Sequence, residues 1–330
     1  MSADAARRAL SPVPALWLGP MAGFSDRALR VLCRRFGADA TVTEMISAKA
    51  VCYADRKTAA LARIRPDETP CALQLFSAEP DVLAEAIRRL DAGFADGCAP
   101  LSYDLNVGCP MRKVTANGEG GALMRSPRLI ERLVAAAVSA TSRPVSVKMR
   151  AGWDDASKNA PDCARAAEAG GASLITVHGR TVRQLYGGEV DRAIIGAVKA
   201  AVSLPVIGNG DIRSAADARA MLDETGCDGV MVARAAIGRP YLFGELRDLV
   251  DGTRLYVPPT PAQIVACALT QLSLAAEEKG ERRAVPEVRK QIAAYVSGFR
   301  GAADVRRRVN AAVTCDEVRA LLDDFLAGLS

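Results

Sequence analysis

The chain has 330 residues, of which 50% are hydrophobic and 25% are charged, a composition typical of a globular protein with one large domain or one large and one small. No apolar run approaches the ~20 residues that a membrane helix needs, and the N-terminus lacks the apolar centre of a signal peptide, so we expect a cytoplasmic protein. The net charge is +5, the only histidine is His178, and the 9 cysteines show no CxxC spacing, which together predict no metal site.

Eight short apolar runs rich in β-branched residues predict eight strands. Segments with helical spacing, such as EPDVLAEAIRRLDA and SPRLIERLVAAAVSA, separate these runs. Alternating strands and helices predict an α/β fold, the parallel TIM (β/α)8 barrel, rather than a doubly wound open sheet, because no GxGxxG follows an early strand. The predicted strands are 16–18, 41–43, 72–76, 103–107, 145–149, 174–177, 206–207 and 229–232.

The pattern changes at the proline-rich segment 257–263, after which no strand pattern recurs. We therefore predict two domains, a barrel at 1–255 and a small all-helical domain at 256–330. Within the second, segment 281–310 holds eight arginines and lysines against three acidic residues, a net charge equal to that of the whole chain. This block predicts an anionic macromolecular partner, the alternative being a solvated helix face.

Polar and glycine residues follow almost every predicted strand. In a TIM barrel the carboxyl ends of the strands share one rim, and that rim carries the active site. The only histidine, a lysine inside an apolar run, amides and a thiol all map to this rim, which predicts the active site there. In chain order the residues are Gly19–Gly23, Glu44, Gln74, Asn106, Cys109, Lys148, Arg150, His178, Arg180, Asn209–Asp211, Ala233 and Arg234.

The last two strands predict a phosphate site. The run PVIGNGDIRS places a glycine-rich turn after the seventh strand, and Arg234 follows the eighth. Such loops commonly hold phosphate, although a plain glycine turn is the alternative. Lys148 on a buried strand needs an anion nearby unless it reaches solvent at the strand end. With Gln74 available to bond a polar ring edge, these features favour FMN over a simple sugar phosphate.

Cys109 occupies an unusual place for a cysteine. It lies in the turn GCP, residues 108–110, which ends an apolar run, and Arg112 and Lys113 follow. A packing cysteine normally lies inside an apolar run. A thiol at a strand exit beside positive charge is a candidate reactive group, with packing as the alternative.

Seven segments together resemble the tRNA-dihydrouridine synthases. They are GPMAGFSDRALR, LQLF, DLNVGCPMRKV, VSVKMRAGW, TVHGRT, VIGNGDI and VMVARAAIGRPYLF, in family order and spacing across residues 16–245. The segment VRKQIAAYVSGFRGAADVRRRVN resembles the helical domain of the bacterial B-type subgroup. The resemblance implies an enzyme that binds FMN, takes electrons from NADPH and reduces specific uridines of the tRNA D-loop.

Carried over residue by residue, the resemblance implies that Cys109 is the catalytic cysteine and that Lys148 contacts the flavin ring, with His178 close by. Reduction of the uracil 5,6-double bond needs a hydride at C6, from flavin N5, and a proton at C5, which the thiol of Cys109 supplies. Ala233 stands where family members often have glycine, and Arg192 where an aromatic residue is common. The implied FMN-binding residues are Pro20, Met21, Ala22, Gln74, Lys148, His178, Asn209, Gly210, Asp211, Ala233 and Arg234.

Basic and polar residues outside the cofactor set are candidates for contact with tRNA. Cations of the helical domain would neutralise phosphates and position the tRNA without reading its bases. For Arg180 an ion pair that braces the rim is the alternative. The candidates are Asn106, Arg112, Lys113, Arg180, Arg289, Lys290, Arg306 and Arg307. We expect a monomer.

Two other functions stay open on the sequence alone. A flavin barrel that acts on a free pyrimidine shares the fold and the cofactor, but it does not need a basic helical domain. A tRNA-binding protein with a relic flavin site would not need Cys109 and Lys148. The preference for NADPH over NADH stays open, because no nicotinamide-binding motif is visible. For the modified uridine, the resemblance to the B-type subgroup points to position 17 of the tRNA.

Overall fold

Parallel strands form a closed barrel at the centre of the molecule. The computed structural model describes residues 15–329. All pairings between strands are parallel, and the strand at 15–18 pairs with the strand at 229–232, which closes the sheet and confirms the predicted TIM barrel. The strands are Ala15–Leu18 (β1), Ala40–Val42 (β2), Ile46–Ser47 (β3), Cys71–Phe76 (β4), Tyr103–Val107 (β5), Val145–Arg150 (β6), Leu174–His178 (β7), Val206–Asn209 (β8) and Gly229–Val232 (β9).

The second of the eight strand positions is divided between β2 and β3. β2 pairs with the start of β4, where Thr41 lies opposite Cys71, and β3 pairs with the end of β4, where Ile46 lies opposite Leu75. Between them the Thr43 hydroxyl accepts the backbone N–H of Gln74 at 3.0 Å. The predicted strand 41–43 is therefore β2, β3 is an additional two-residue strand, and the Thr43 hydrogen bond attaches the segment between them to β4.

Helices cover the outside of the barrel. The helix at 127–140 buries Ile130, Leu133, Val134 and Ala137, the spacing of a single helix face. Through residue 251 the helices are Arg27–Arg35 (α1), Ala48–Cys52 (α2), Arg56–Ala62 (α3), Pro80–Asp91 (α4), Arg112–Thr115 (α5), Pro127–Ala140 (α6), Ala160–Ala169 (α7), Arg192–Ala201 (α8), Ala215–Thr225 (α9) and Leu242–Asp251 (α10). Turns of 3₁₀ helix lie at Pro66–Glu68, Gly120–Arg125, Asp155–Ser157 and Arg234–Ala236.

The barrel interior is apolar at one end and polar at the other. Alternate residues of a strand face opposite sides, so one set packs against the helices and the other fills the barrel. The apolar filling consists of Ala15, Trp17, Ala40, Val42, Ala72, Leu174, Ile207 and Met231. Towards the carboxyl ends of the strands the buried residues become polar, and include Gln74, Asp104, Asn106, Ser146, Thr176, His178 and Asn209. The polar end is the rim that the sequence predicts as the active site.

Four helices follow the barrel: Pro261–Lys279 (α11), Glu281–Tyr295 (α12), Ala302–Val309 (α13) and Cys315–Ala327 (α14). Their shared core also includes Ala28, Val31 and Leu32 of α1, so the first helix of the barrel packs against this bundle. The domain boundary at residues 255 and 256 stays a prediction. Among residues 15–329 no helix has the length and apolar character that crossing a membrane requires.

Candidate active site at the carboxyl end of the barrel

Strand register brings the predicted site residues to common levels inside the barrel. Gln74 lies opposite Asp104 in the pairing of β4 with β5, and Asn106 lies opposite Lys148 in the pairing of β5 with β6. On the other side, His178 pairs with Asn209 between β7 and β8. Residues from distant parts of the sequence therefore form one polar surface because their strands are neighbours.

A hydrogen-bond network connects Gln74, Asn106 and the turn that carries Cys109. The amide nitrogen of Gln74 donates to Asp104 Oδ2 at 2.7 Å, and its oxygen accepts from Asn106 Nδ2 at 2.8 Å. Asn106 Oδ1 accepts the backbone N–H groups of Gly108 and Cys109 at 3.1 and 2.8 Å. The network fixes the turn to the strands beneath it.

The Cys109 turn is also held from the side. The Cys109 carbonyl accepts the N–H of Gly121 at 2.9 Å, and the Gly108 carbonyl accepts from Arg150 Nε at 2.9 Å. Burial raises the pKa of the half-buried Cys109 thiol, and the Met111 N–H and the charges of Arg150 and Lys148 only partly offset this effect. At neutral pH the thiol is therefore protonated and can donate a proton.

Lys148 is half-buried at the rim, where an amide side chain is its hydrogen-bond partner. Its ammonium group donates to Asn209 Oδ1 at 3.2 Å, and Asn209 Nδ2 in turn donates to the Met231 carbonyl at 2.7 Å. Burial, and then repulsion from Arg150, lower the pKa of Lys148 to about 8, while Asp104 acts in the opposite direction. A lysine held in this state gains most from a nearby ligand that carries negative charge.

His178 lies among cations. Burial and the charges of Lys148, Arg150, Arg180 and Arg234 lower the pKa of His178 well below its usual value, so the imidazole is neutral at pH 7. Gly210 has a φ of +126°, and a Cβ there would lie 2.9 Å from the His178 ring. Glycine at this turn therefore makes room for the imidazole.

Arg180 braces the rim. Its side chain is 2% exposed, and it donates to the carbonyls of Gly187 and Gly188 and to Asp211 Oδ2 at 2.5 Å. The sequence analysis gave an ion pair that braces the rim as the alternative to tRNA contact for Arg180, and the structure contains such a pair with Asp211. Asp211 also pairs with Arg234 at 3.2 Å, and the hydrogen bond from Arg180 is the main cause of its lowered pKa. Arg180 Nη1 is buried without a hydrogen-bond partner among the described residues.

The first loop of the rim contains Pro20, Met21 and Ala22. The Met21 N–H donates to the Ser25 hydroxyl at 2.8 Å, and the Gly23 N–H donates to Glu44 at 3.0 Å, so two side chains hold this loop. Across the closure of the barrel, β1 pairs with β9, which ends just before Ala233 and Arg234. The predicted ring-binding and phosphate-binding loops thus lie on adjacent strands.

Two residues of the site had no place in the sequence prediction. Tyr186 is 53% exposed and lies between the guanidinium groups of Arg150 and Arg234, which are 5.7 and 4.7 Å from its ring centre. Asp104 is buried in β5 between Gln74 and Ser146. Nothing in the loop sequence distinguishes Tyr186, whereas a carboxylate inside an apolar run could have identified Asp104.

The predicted tRNA contacts do not share one environment. Arg112 and Lys113 are exposed on α5, directly after the Cys109 turn. Lys290 Nζ lies 4.0 Å from the ring centre of Phe24, beside the first loop of the rim. In the helical bundle, Arg306 is exposed, Arg307 is exposed and pairs with Asp304, and Arg289 is half-buried and donates to the Ala312 carbonyl.

The donors of the site match the chemistry of FMN. Lys148 is a half-buried cation that donates to one amide oxygen, and Arg180 has a buried nitrogen without a partner in the part of the chain that the structure describes. Such donors fit a ligand that has a phosphate and a ring edge with carbonyl oxygens. No group of three or more histidine, cysteine, aspartate or glutamate side chains within residues 15–329 is arranged to hold a metal ion.

The chain is similar to one protein family along nearly its whole length. The family model described as dihydrouridine synthase matches residues 17–329. A protein of Mycobacterium tuberculosis named "Probable tRNA-dihydrouridine synthase" is 39% identical over 96% of this chain and 86% of its own length. One of the same name from Rickettsia conorii is 39% identical over 89% of this chain and 87% of its own. The "tRNA-dihydrouridine synthase B" of Xanthomonas axonopodis is 38% identical over 97% of this chain and 95% of its own length.

Proposed function

Because the chain belongs to the dihydrouridine synthase family, we propose that it is a tRNA-dihydrouridine synthase that uses FMN and NADPH to reduce uridines of the tRNA D-loop. Relatives that carry this enzyme name match it over most of their length, and two Xanthomonas relatives named synthase B support the B-type assignment. The observation that carries the proposal is the Cys109 turn at the barrel rim, which Asn106 and Gly121 hold beside the strand that carries Lys148.

FMN would be held by the rim side chains. Lys148 and Gln74 supply N–H donors for the polar edge of the ring, and the neutral His178 adds no further charge there. Backbone N–H groups of the loops 209–211 and 233–234, with the Arg234 guanidinium, suit the phosphate. When bound and reduced by NADPH, FMN supplies the hydride for uracil C6. The first loop, with Pro20, Met21 and Ala22, lies beside this set.

Cys109 supplies the proton for uracil C5. Its raised pKa keeps the proton on sulfur at neutral pH, and Asn106 and Gly121 hold its backbone in place. The remaining thiolate would be stabilised by the charges of Arg150 and Lys148. The residues of the turn therefore favour an acid rather than a nucleophile at this position.

The tRNA would approach over exposed cations that flank this rim. Arg112 and Lys113 lie next to the Cys109 turn, and Lys290 extends the positive surface onto the helical bundle. Phosphate neutralisation by such groups positions the RNA, while the target uridine must leave its stack to reach the thiol. Asn106 and the partnerless nitrogen of Arg180 stay candidates for contact with that base.

The test combines a spectrum with a single turnover. The purified protein is expected to show a flavin spectrum that bleaches with NADPH and returns when unmodified tRNA is added without oxygen. With Cys109→Ala the return should be slower by about 100-fold or more, the usual contribution of a general acid. Cys98→Ala is the matched control, since Cys98 is also a free, half-buried cysteine but lies before the amino end of β5.

Other outcomes separate the competing functions. A colourless protein that cannot be reconstituted with FMN would refute the proposal and leave a tRNA-binding barrel. Reoxidation by free uracil or orotate, but not by tRNA, would identify an enzyme for small pyrimidines. An unchanged rate in Cys109→Ala would remove this thiol from the reaction.

A further inference from the structure

A buried carboxylate lies at the base of the network that holds Cys109. Asp104 is 4% exposed and interacts through both oxygens, with Gln74 on one side and Ser146 on the other. Gln74 and Asn106, both buried, complete the connection from Asp104 to the backbone N–H groups of the Cys109 turn. The connection therefore begins at a carboxylate and ends at the backbone of Cys109, whose thiol is the proposed acid.

The two ends of this connection fix the direction of every hydrogen bond in it. An ionised carboxylate only accepts hydrogen bonds and a backbone N–H only donates them, whereas an amide side chain has one accepting and one donating end. Asp104 takes the amide nitrogen of Gln74, which leaves the Gln74 oxygen for Asn106. Asn106 then has its own oxygen free for Cys109.

We propose that Asp104 is a positioning residue that sets the polarity of the Gln74–Asn106 amide pair and thereby holds the backbone of Cys109. The proposal rests on the function proposed above only in giving Cys109 a role in proton transfer.

Ser146 gives Asp104 a partner that can exchange roles. Its hydroxyl donates to Asp104 Oδ1 at 2.7 Å, but a hydroxyl can equally accept. In Asp104→Asn the new amide can accept from Gln74 and donate to Ser146, so the direction of the network is kept. In Ser146→Ala the carboxylate keeps its bond to Gln74. Each single substitution is expected to leave the Cys109 turn in place.

The double substitution removes this protection. Without the hydroxyl at position 146, the amide nitrogen at position 104 loses its acceptor and stays buried and unpaired, and the neutral amide oxygen accepts more weakly from Gln74 than the carboxylate does. The hold on Gln74 and, through Asn106, on the Cys109 turn is therefore weaker. The turn loosens and the thiol becomes more exposed.

The test is a double-mutant cycle measured at the thiol. The rate of Cys109 alkylation by iodoacetamide is measured by peptide mass spectrometry in flavin-free full-length protein, with the half-buried Cys315 of α14 as control within the same molecule. We expect both single variants within about twofold of wild type and the double variant at least about tenfold faster, with Cys315 unchanged. A role in packing alone gives additive effects, so a double variant that equals the product of the singles overturns the proposal.

Gln74→Met covers the case in which the double variant does not fold. It breaks the connection while Asp104 and Ser146 are intact, so Cys109 should again react about tenfold faster, and an unchanged rate overturns the proposal. FMN binding is measured separately on the same proteins. If even the wild type binds no FMN, the proposed function fails, whereas the alkylation rates still decide the role of Asp104.

Discussion

Charged side chains at the barrel rim and in the C-terminal helices are held in opposite ways. At the rim, Arg150 and Arg180 are buried and Lys148 is half-buried, and each donates to a specific carbonyl, amide or carboxylate. In the helices, Arg282, Arg300 and Arg306 are exposed and have no ion pair among the described residues. Both regions are basic, but only at the rim does each cation have a defined position.

The difference shows what each kind of cation contributes to function. A buried charge is costly unless a partner offsets it, so several such charges together at the carboxyl end of a barrel are typical of a ligand site. An exposed cation interacts with RNA through a field that salt screens, and it fixes no particular atom. We therefore expect substitutions at the rim to change cofactor binding and stability, and substitutions in the exposed set to change only the attraction for RNA.

Lys148→Met should have the largest effect of the substitutions that test this comparison. Loss of a charged hydrogen-bond donor in a buried site costs about 1.5–3 kcal/mol, so the affinity for FMN should fall roughly 10- to 100-fold. In the wild type the affinity should also fall as the pH rises past about 8, because Lys148 then loses its proton in the free protein. The variant should lack this pH dependence.

Fluorescence titration of FMN between pH 6 and pH 10, or a similar range chosen around the Lys148 pKa of about 8, measures both effects. Lys199→Met is the control, because Lys199 lies on α8 and pairs with Asp228. It should bind FMN as the wild type does. Equal affinity in Lys148→Met and wild type would mean that the buried ammonium group does not face the cofactor.

Asp211→Asn tests the ion pairs of the rim. Removing one partner of a fully buried pair costs about 3–5 kcal/mol, and because Asp211 is 23% exposed we expect the free energy of unfolding to fall by about 2 kcal/mol. The pKa of Asp211 is lowered in the folded state, so this stability is present above the pKa of the unfolded carboxyl and is lost as the pH falls through the folded value. The difference from wild type should therefore vanish in acid.

Urea denaturation at neutral and acidic pH measures this difference. Asp162→Asn is the matched control, because its pair with Arg165 is exposed on both sides and should contribute less than about 0.5 kcal/mol. If the two variants were equally stable, the buried position of Arg180 would not depend on Asp211.

The barrel and most of its rim could be predicted because the signals are local. Each strand is a short apolar run, and the residue after each run is brought to the rim by topology alone. β3 escaped prediction because two residues carry no pattern of their own, and they form a strand only by pairing with the end of β4. Lys148 could be identified because it is a charged residue inside an apolar run. Asp104 is also a charged residue inside an apolar run, so the same reasoning could have identified it.

The directions of the arginine side chains could not be predicted. The sequence makes both Arg180 and Arg289 candidates for contact with tRNA, yet Arg180 turns to Asp211 and Arg289 to the Ala312 carbonyl. Each of these two partners is more than 20 residues away in the sequence, so only tertiary packing brings it to the arginine. Charge counts identify a basic segment but do not show which of its cations face solvent.

Arg306→Gln and Arg289→Gln compare an exposed and a half-buried cation within the same bundle, and their effects should be the smallest. If Arg306 contacts a phosphate, its loss should weaken tRNA binding a few-fold at low salt and reduce the slope of log affinity against log salt by about 1, with stability unchanged. Arg289→Gln should leave that slope unchanged and lower the free energy of unfolding by about 1 kcal/mol, because its bond to the Ala312 carbonyl is lost. Binding of labelled tRNA between about 50 and 200 mM salt, together with urea denaturation, measures both quantities.

If Arg289→Gln instead reduced the salt slope, the half-buried guanidinium would have to turn outward when RNA binds. The contrast between fixed and free cations would then hold only for the protein without its substrate.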